Sequence, residues 1–560
     1  MRLITFFSLL FISTLILYGS PKTISVSSTK EFKKGNDTLI VYVDVPGLTS
    51  SDKYTIRVRS AATKNKWVAV FAHYTYNRAA ELGGKSVPMI NNGNKLLSTT
   101  VYHYQKFTSG WSHTYGNIEM SPNSPVEVEI SAKNGFEIGG KDFYKAAAHP
   151  SQRVLKQPIV EKGKIYFTID KPAQIVIDIN GQMDDFNKAL DDKSPNQDYV
   201  AHTVSLFANP VMQKPSIGER GVFVVEPGTQ PTTDPSKYTT LYFKPGVHDI
   251  GRNFKVYPGK KYFIPGDAIV YGSFNNLGLP SVGGLQSGEN IKIFGLGTIS
   301  GARIQHPSYE NEADVNGKEY KTITIDNAMN TEVQGVCIVD PANHSVNLNS
   351  WGGRPDRTQK VTFARWVKVI SWRANGDGIG SAAVVEDCFI RTADDCSYVK
   401  GDRRRCTFWK DANAAVFHMA GIYTDFPIVI EDCDVIYNRT RGVLVGGVFV
   451  QRAEGEAKQR TVNVTVRNFR ISDPRSNMPT FNLYSKDGRG TGSSFSGITF
   501  QNVTISHPIV GGRKQVLKGC VEVPWNGGIV FDNVIIAGKK LTNLNDFETN
   551  EYVSDISFLN

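Results

Sequence analysis

A six-residue pattern, apolar-x-Asp/Asn-apolar-x-apolar, recurs through the C-terminal two-thirds of the chain and limits what it can fold into. It reads VEDCFI (385–390), IEDCDV (430–435), VRNFRI (466–471), FQNVTI (500–505) and FDNVII (531–536). The anchoring Asp387, Asp432, Asn468, Asn502 and Asn533 lie 45, 36, 34 and 31 residues apart, and the first interval divides into two turns of about 22. Strand–turn units at this period bury their apolar side chains only by stacking, which specifies a right-handed parallel β-helix. Asn and Asp suit a repeated corner because their side chains bond nearby backbone and tolerate left-handed φ. Cys388 and Cys433 fall on the same repeat position and are expected as stacked interior thiols. A multi-strand sandwich is the competing arrangement.

Upstream the pattern changes. Stretches such as TLIVYVDVPG, DKYTIRVRSA, PVEVEISAKNG and AQIVIDING alternate apolar and polar residues between polar turns, as antiparallel strands with one buried face do. The sequence therefore predicts an all-β chain: an N-terminal β-sandwich over 21–205, then a β-helix over 206–560. Residues 1–20, with Arg2, an apolar run and then Gly19-Ser20, have the layout of a secretory signal peptide. The expected product is soluble and exported, extracellular or periplasmic according to the host, with no membrane role after cleavage. A monomer is the expected state.

Six cysteines in 560 residues are too few for a disulfide scaffold, and none has zinc-type spacing; a pair or two bridged in an oxidising compartment is compatible with the count. The sequons at Asn36, Asn343, Asn438, Asn463 and Asn502 are glycosylation acceptors only in a eukaryotic host. The net charge of +10 suits an acidic polymer or surface, but its basic residues are scattered and no nucleic-acid motif is present. No metal or organic cofactor is implied. The acids lack the D-x-D-x-D-G layout of a calcium loop.

The chemistry concentrates in WRANGDGIGSAAVVEDCFIRTADDCSYVKG. Asp377 precedes the pair Asp394-Asp395 by 17 to 18 residues, one short turn, so stacking brings three carboxylates to one face. Like charges at that distance push pKa values apart. Inverting glycoside hydrolysis uses such a split, with one protonated donor and one ionised base roughly 6.5–9.5 Å apart. Spacing alone leaves open which of the adjacent pair donates. Both face inward only if a bend or bulge interrupts the strand.

NGDG followed by DDC-x-x-V-K resembles the NTDG and DDC-x-x-I-K signatures of the polygalacturonases (glycoside hydrolase family 28) and the dextranases and isopullulanases (family 49). The acid motif is nearer the former. LYFKPGVHDIG (241–251), IVYGSFNN (269–276), FGLGTISG (294–301) and CIVDPANHSVNLN (337–349), together with an N-terminal sandwich, resemble family 49. That resemblance implies Asp394 as general acid, with Asp377 and Asp395 sharing the water. The sequence departs from dextranases at VFHMAG (416–421), where His418 stands about where polygalacturonases carry an active-site histidine.

His418 is a candidate for orienting the acid or binding a hydroxyl. Lys400 matches the clan's lysine after the acid pair. Tyr398, Trp409 and Tyr423 are candidate sugar platforms. Arg403, Arg404 and Arg405 form either a solvated loop or a forked site for uronate or sulfate, with Arg403 the foremost candidate. The family 49 resemblance thus implies an inverting, endo-acting hydrolase of an α-glucan such as dextran. Hydrolysis of an acidic polymer and non-catalytic carbohydrate binding are the alternatives.

Overall fold

The computed structural model describes residues 28–559, apart from 64–65, 78–88, 91–95, 98–111, 184–199, 305–317, 351–360, 374, 412–413, 420–426, 439–445, 452–459, 474–477, 485–494, 510–512, 522–523 and 526–527. The signal-peptide segment and Tyr423 lie outside the described residues.

Two sheets open the described chain. Strand Tyr54–Ser60 alternates strictly between buried and half-buried residues, and belongs to a five-stranded antiparallel sheet. A seven-stranded sheet faces it, so that Val41, Ile118, Ile175 and Leu206 pack against Ile56, Val128 and Ile165 in one core. The seven-stranded sheet contains strand His202–Pro210, paired in parallel with Ser112–Met120. The expected boundary at 205/206 therefore cuts a strand. Alternation is muted there because both faces are covered. Val204, Leu206 and Ala208 point into the sandwich core, while Phe207 joins a second cluster with Trp372, Phe389 and Trp409 of the solenoid.

From strand Val222–Val225 onward the chain winds as a parallel solenoid. Each central coil has three short strands, as in Val384–Glu386, Phe389–Thr392 and Ser397–Tyr398, each paired in parallel with its counterpart in the next coil. The corner between the first two strands is a left-handed residue: Asp387, Asp432, Asn468, Asn502 and Asn533 have φ of 55°, 54°, 51°, 52° and 53°. Most L-residues pay about 1 kcal/mol or more for that conformation, which explains the recurring Asn and Asp. Asn533 and Asn502 also donate side-chain bonds to the corner below, at 2.8 and 3.3 Å.

The 45-residue interval does hold two coils, of 18 and 27 residues, because the intervening corner is Arg405 (φ 54°). Arg405 escapes the sequence pattern since it replaces the Asn/Asp corner with a bidentate pair to Asp387, 2.9 Å at each oxygen. The arginine run is accordingly no loop: strand Asp402–Arg404 is part of the large sheet. Cys388, Cys406 and Cys433 stack in the interior, and all six cysteines are buried outside any disulfide. Asn343 and Asn438 are fully buried and are not glycan acceptors as folded.

The sandwich is joined to the second face of the solenoid. Arg391, fully buried, bonds Thr203 at 2.8 Å and pairs with Asp411 at 2.7 Å, and Lys368 bonds Asn209 at 2.7 Å. Charges this deep are tolerated only when paired or bonded. With that face covered, the chain's chemistry lies at the next corner.

Candidate active site

Strand register assembles the site. Parallel bridges Val346↔Ile379 and Ile379↔Ser397 align three successive coils. Two residues earlier in each coil stand His344, Asp377 and Asp395, so these form one column. Ser345 N–H donates to the Asp377 carbonyl at 2.8 Å, and Gly378 N–H to the Asp395 carbonyl at 2.9 Å.

The glycines of NGDG are required by this stacking. A Cβ on Gly376 would lie 2.0 Å from Ser371 Oγ, and one on Gly378 would lie 2.2 Å from the Cys396 carbonyl oxygen. Gly378 thus lets the backbone beside Asp377 approach the next coil closely, and Gly376 leaves room for Ser371 and the Arg373 carbonyl.

Asp394 joins the column because the chain bends after strand Phe389–Thr392. The Thr392 hydroxyl donates to the Asp394 carbonyl and holds that bend. Asp394 then accepts from the backbone N–H of Asp395 at 2.9 Å and of Asn375 at 3.2 Å, while Asp395 accepts from Ala415 N–H at 2.7 Å. One carboxylate oxygen from each of Asp377, Asp394 and Asp395 lies within 4.8 Å of the others. This is tighter than the roughly 6.5–9.5 Å expected of an inverting pair. A water bonded to two carboxylate oxygens at about 2.7 Å each still fits such a gap.

Burial, followed by the neighbouring charges of Asp394 and then Asp395, raises Asp377 well above the usual carboxylate range. A hydrogen bond from the Tyr398 hydroxyl offsets part of that rise. Asp394 is the most accessible of the three, at 8% exposure against 3% for Asp377 and 2% for Asp395. Three carboxyls this close have the geometry of a cation site. Lys321, close enough to Asp377 for each to shift the other, opposes one.

The flanking residues divide sharply. Tyr398 is in the site: its ring stacks on His344 at 5.9 Å and meets His418 at 4.7 Å. His418 is only 2% exposed and supports Tyr398 rather than lining open space. Lys400 borders a cavity of about 420 Å³ and lies 3.4 Å from Ser381 Oγ. Trp409 is not a sugar platform. It is fully buried at the junction with the sandwich, stacked on Tyr437 and donating to Asp411 at 2.6 Å. Nor does Arg403 reach substrate, being fully buried with its guanidinium on Ser397 Oγ (2.8 Å) and the carbonyls of Ala382, Asp402 and Tyr398. Burial pulls it down to about 10. Arg404 pairs with Asp402 and Glu431, so the arginine run is occupied by the fold.

Sequence reading missed two members. His344, one coil before Asp377, places Nε2 at 3.6 Å from its carboxylate, and burial pulls the ring well below the ordinary imidazole range. Its signal was the 33-residue distance to Asp377, one longer coil, which no repeated motif marks. Lys321 senses both Asp377 and Lys400, and nothing in its local sequence announces that.

No protein-family model matches the chain, and no curated protein matches it. Among solved structures, Dex49A from Penicillium minioluteum aligns over 95% of this chain and 100% of its own, at 14% identity and a TM-score of 0.66. The chain shares its fold with Dex49A. The family 28 exopolygalacturonase of Yersinia enterocolitica (12% identity, 94% of this chain and 93% of its own, TM-score 0.37) aligns less well. So does the catalytic domain of a GH87 α-1,3-glucanase (12%, 94% and 92%, TM-score 0.40). The Dex49A likeness spans the sandwich as well as the solenoid, so the pairing of the two units is part of the shared fold.

Proposed function

We propose that this protein is a secreted glycoside hydrolase that cleaves internal linkages of a polysaccharide with inversion, most simply a dextranase-like endo-1,6-α-glucosidase. The observation that carries the reading is the cluster of Asp377, Asp394 and Asp395, in which burial and the two neighbouring carboxylates push Asp377 well above the usual carboxylate range. Acid and base are then available at one pH. Asp394, the most accessible, reaches the glycosidic oxygen as donor; Asp377 and Asp395 hold the attacking water between them. The fold likeness to Dex49A and the motif resemblance to dextranases support an α-glucan.

A second assignment of roles has its own support. Asp377 is the carboxyl that burial and its neighbours push toward its protonated form, so it is the alternative donor. A second substrate class, an acidic polymer, no longer draws on the arginine run. It draws instead on Lys321, whose charge is felt by Asp377, and on its neighbour Lys400.

The test is release of reducing ends from dextran, pullulan, polygalacturonate and a sulfated galactan by the purified chain, with proton NMR of the first product. Dextran cleavage with the β anomer appearing first is the expected result. Activity on none of them would leave a carbohydrate-binding solenoid. An initial α anomer would overturn inversion.

A further inference from the structure

Lys368 and Asn209 belong to different units, one on the solenoid strand Lys368–Ile370 and the other on the sandwich strand His202–Pro210, and both are fully buried. Lys368 Nζ donates to Asn209 Oδ1 at 2.7 Å and to the carbonyls of Gly335 and Trp366 at 2.6 and 3.1 Å. All three acceptors are neutral, and among the described residues no carboxylate is bonded to the amine. The Phe207 ring, 5.9 Å away, completes an apolar surround. Burial lowers Lys368 to about 8, so a neutral, nucleophilic amine is accessible near neutral pH.

The amide it touches is held in place. Asn209 Nδ2 donates to the carbonyls of Ile118 and Phe207 at 3.0 and 2.9 Å. Its Cγ is one C=O bond, about 1.23 Å, beyond Oδ1, and therefore no more than about 3.9 Å from Nζ. Attack begins from about 3–3.5 Å, a small side-chain rotation away. Glu119 stands in register with Asn209 on the parallel strand and is also fully buried. The Tyr42 hydroxyl and Lys214 occupy one of its oxygens, and Met212 N–H takes the other at 2.8 Å. A lone pair on that second oxygen is left for a proton in transit.

We infer that Lys368 and Asn209 form an isopeptide bond that joins the solenoid covalently to the sandwich, with Glu119 as the proton carrier. The Lys368 ammonium gives a proton to Glu119, and the neutral Nζ adds to Cγ of Asn209. Nζ then loses a second proton, the Cγ–Nδ2 bond breaks, and Nδ2 leaves with the two transferred protons as ammonium. One primary amide and one ammonium become one secondary amide and one ammonium, so no oxidant or cofactor is needed. The inference is independent of the hydrolase reading.

The experiment is intact-mass spectrometry of the denatured full chain, followed by peptide mapping. Wild type is expected one ammonia lighter than its sequence, with the peptides carrying Asn209 and Lys368 recovered as one branched species. Lys368→Met and Asn209→Ala should have their full sequence masses. Ammonia loss by ring closure on the following N–H cannot mimic the bond at Asn209, because Pro210 has none. A proteolytic nick between the two residues should leave both wild-type pieces joined on a denaturing gel. Glu119→Gln should form the bond about tenfold or more slowly. Wild type at its full sequence mass after prolonged incubation at mildly alkaline pH overturns the inference, and this readout does not depend on any variant folding. So does an ammonia loss that maps elsewhere or persists in both Lys368→Met and Asn209→Ala. Bond formation in Glu119→Gln at the wild-type rate overturns the role given to Glu119.

Discussion

His344 and Tyr398 lie in different coils with their rings 5.9 Å apart and 11° from parallel, and both address Asp377. The Tyr398 hydroxyl bonds that carboxyl and favours its ionised form, against burial and two neighbouring acids. Tyr398→Phe removes the bond, so Asp377 should hold its proton to still higher pH. The acidic limb of the kcat/KM profile is expected to move upward, with kcat/KM at its optimum down about tenfold or more, the scale of a hydrogen bond to a charged group. His344→Gln, which keeps a donor near the same carboxylate, should change the profile less. A Tyr398→Phe profile superimposable on wild type would deny Tyr398 this role.

Stability offers an independent reading of Asp377. A carboxyl whose folded pKa exceeds its unfolded value, ordinarily about 3.9, binds its proton more tightly when folded. Its contribution is full below that unfolded value and is lost as pH climbs through the folded one. Asp377→Asn, which cannot ionise, escapes the loss. The variant should melt a few degrees higher than wild type near pH 7, a gain on the order of 1 kcal/mol, and the gain should vanish toward pH 4. Thermal melts across that range would refute the clustering argument if Asp377→Asn were equally destabilising at every pH.

The donor assignment is decided by leaving-group chemistry. A glycoside with an activated nitrophenol leaving group needs little protonation, so loss of the general acid is masked on it. If Asp394 donates, Asp394→Asn should cut polysaccharide turnover by about 10²–10⁴-fold yet retain most activity on an activated substrate. Asp377→Asn should be slow on both, because its loss impairs the water. The reverse pattern would move the proton donor to Asp377.

Much of this was legible in sequence because the fold imposes local conformational demands. A left-handed corner favours Asn and Asp, which is why Asp387, Asp432 and the three asparagines marked the coils. Asp377 and Asp394-Asp395 were legible because one short coil separates them. What could not be read is what depends on distant partners. Arg405 occupies a corner through its pair with Asp387, and Trp409 and Arg391 are buried by strands some 200 residues upstream. His344 enters the site across a longer coil. An aromatic or arginine near an acid motif looks like a substrate contact until the packing between two units is known.

Trp409 and Arg405 therefore make a paired prediction. Trp409 is fully buried with its indole N–H bonded to Asp411, so Trp409→Ala opens a cavity and leaves a buried acceptor short of a donor. A loss of about 3–5 kcal/mol is expected, seen as a large drop in melting temperature, with the KM of the surviving folded enzyme unchanged. Arg405 is about half exposed, so its pair with Asp387 is screened, and Arg405→Asn installs the residue that other coils use at the same φ. Its stability should stay within about 1 kcal/mol of wild type. Neither KM nor the salt dependence of turnover on a charged polymer should move, because the guanidinium is committed to Asp387 rather than to substrate. A several-fold rise in KM for Arg405→Asn would return the arginine run to the substrate.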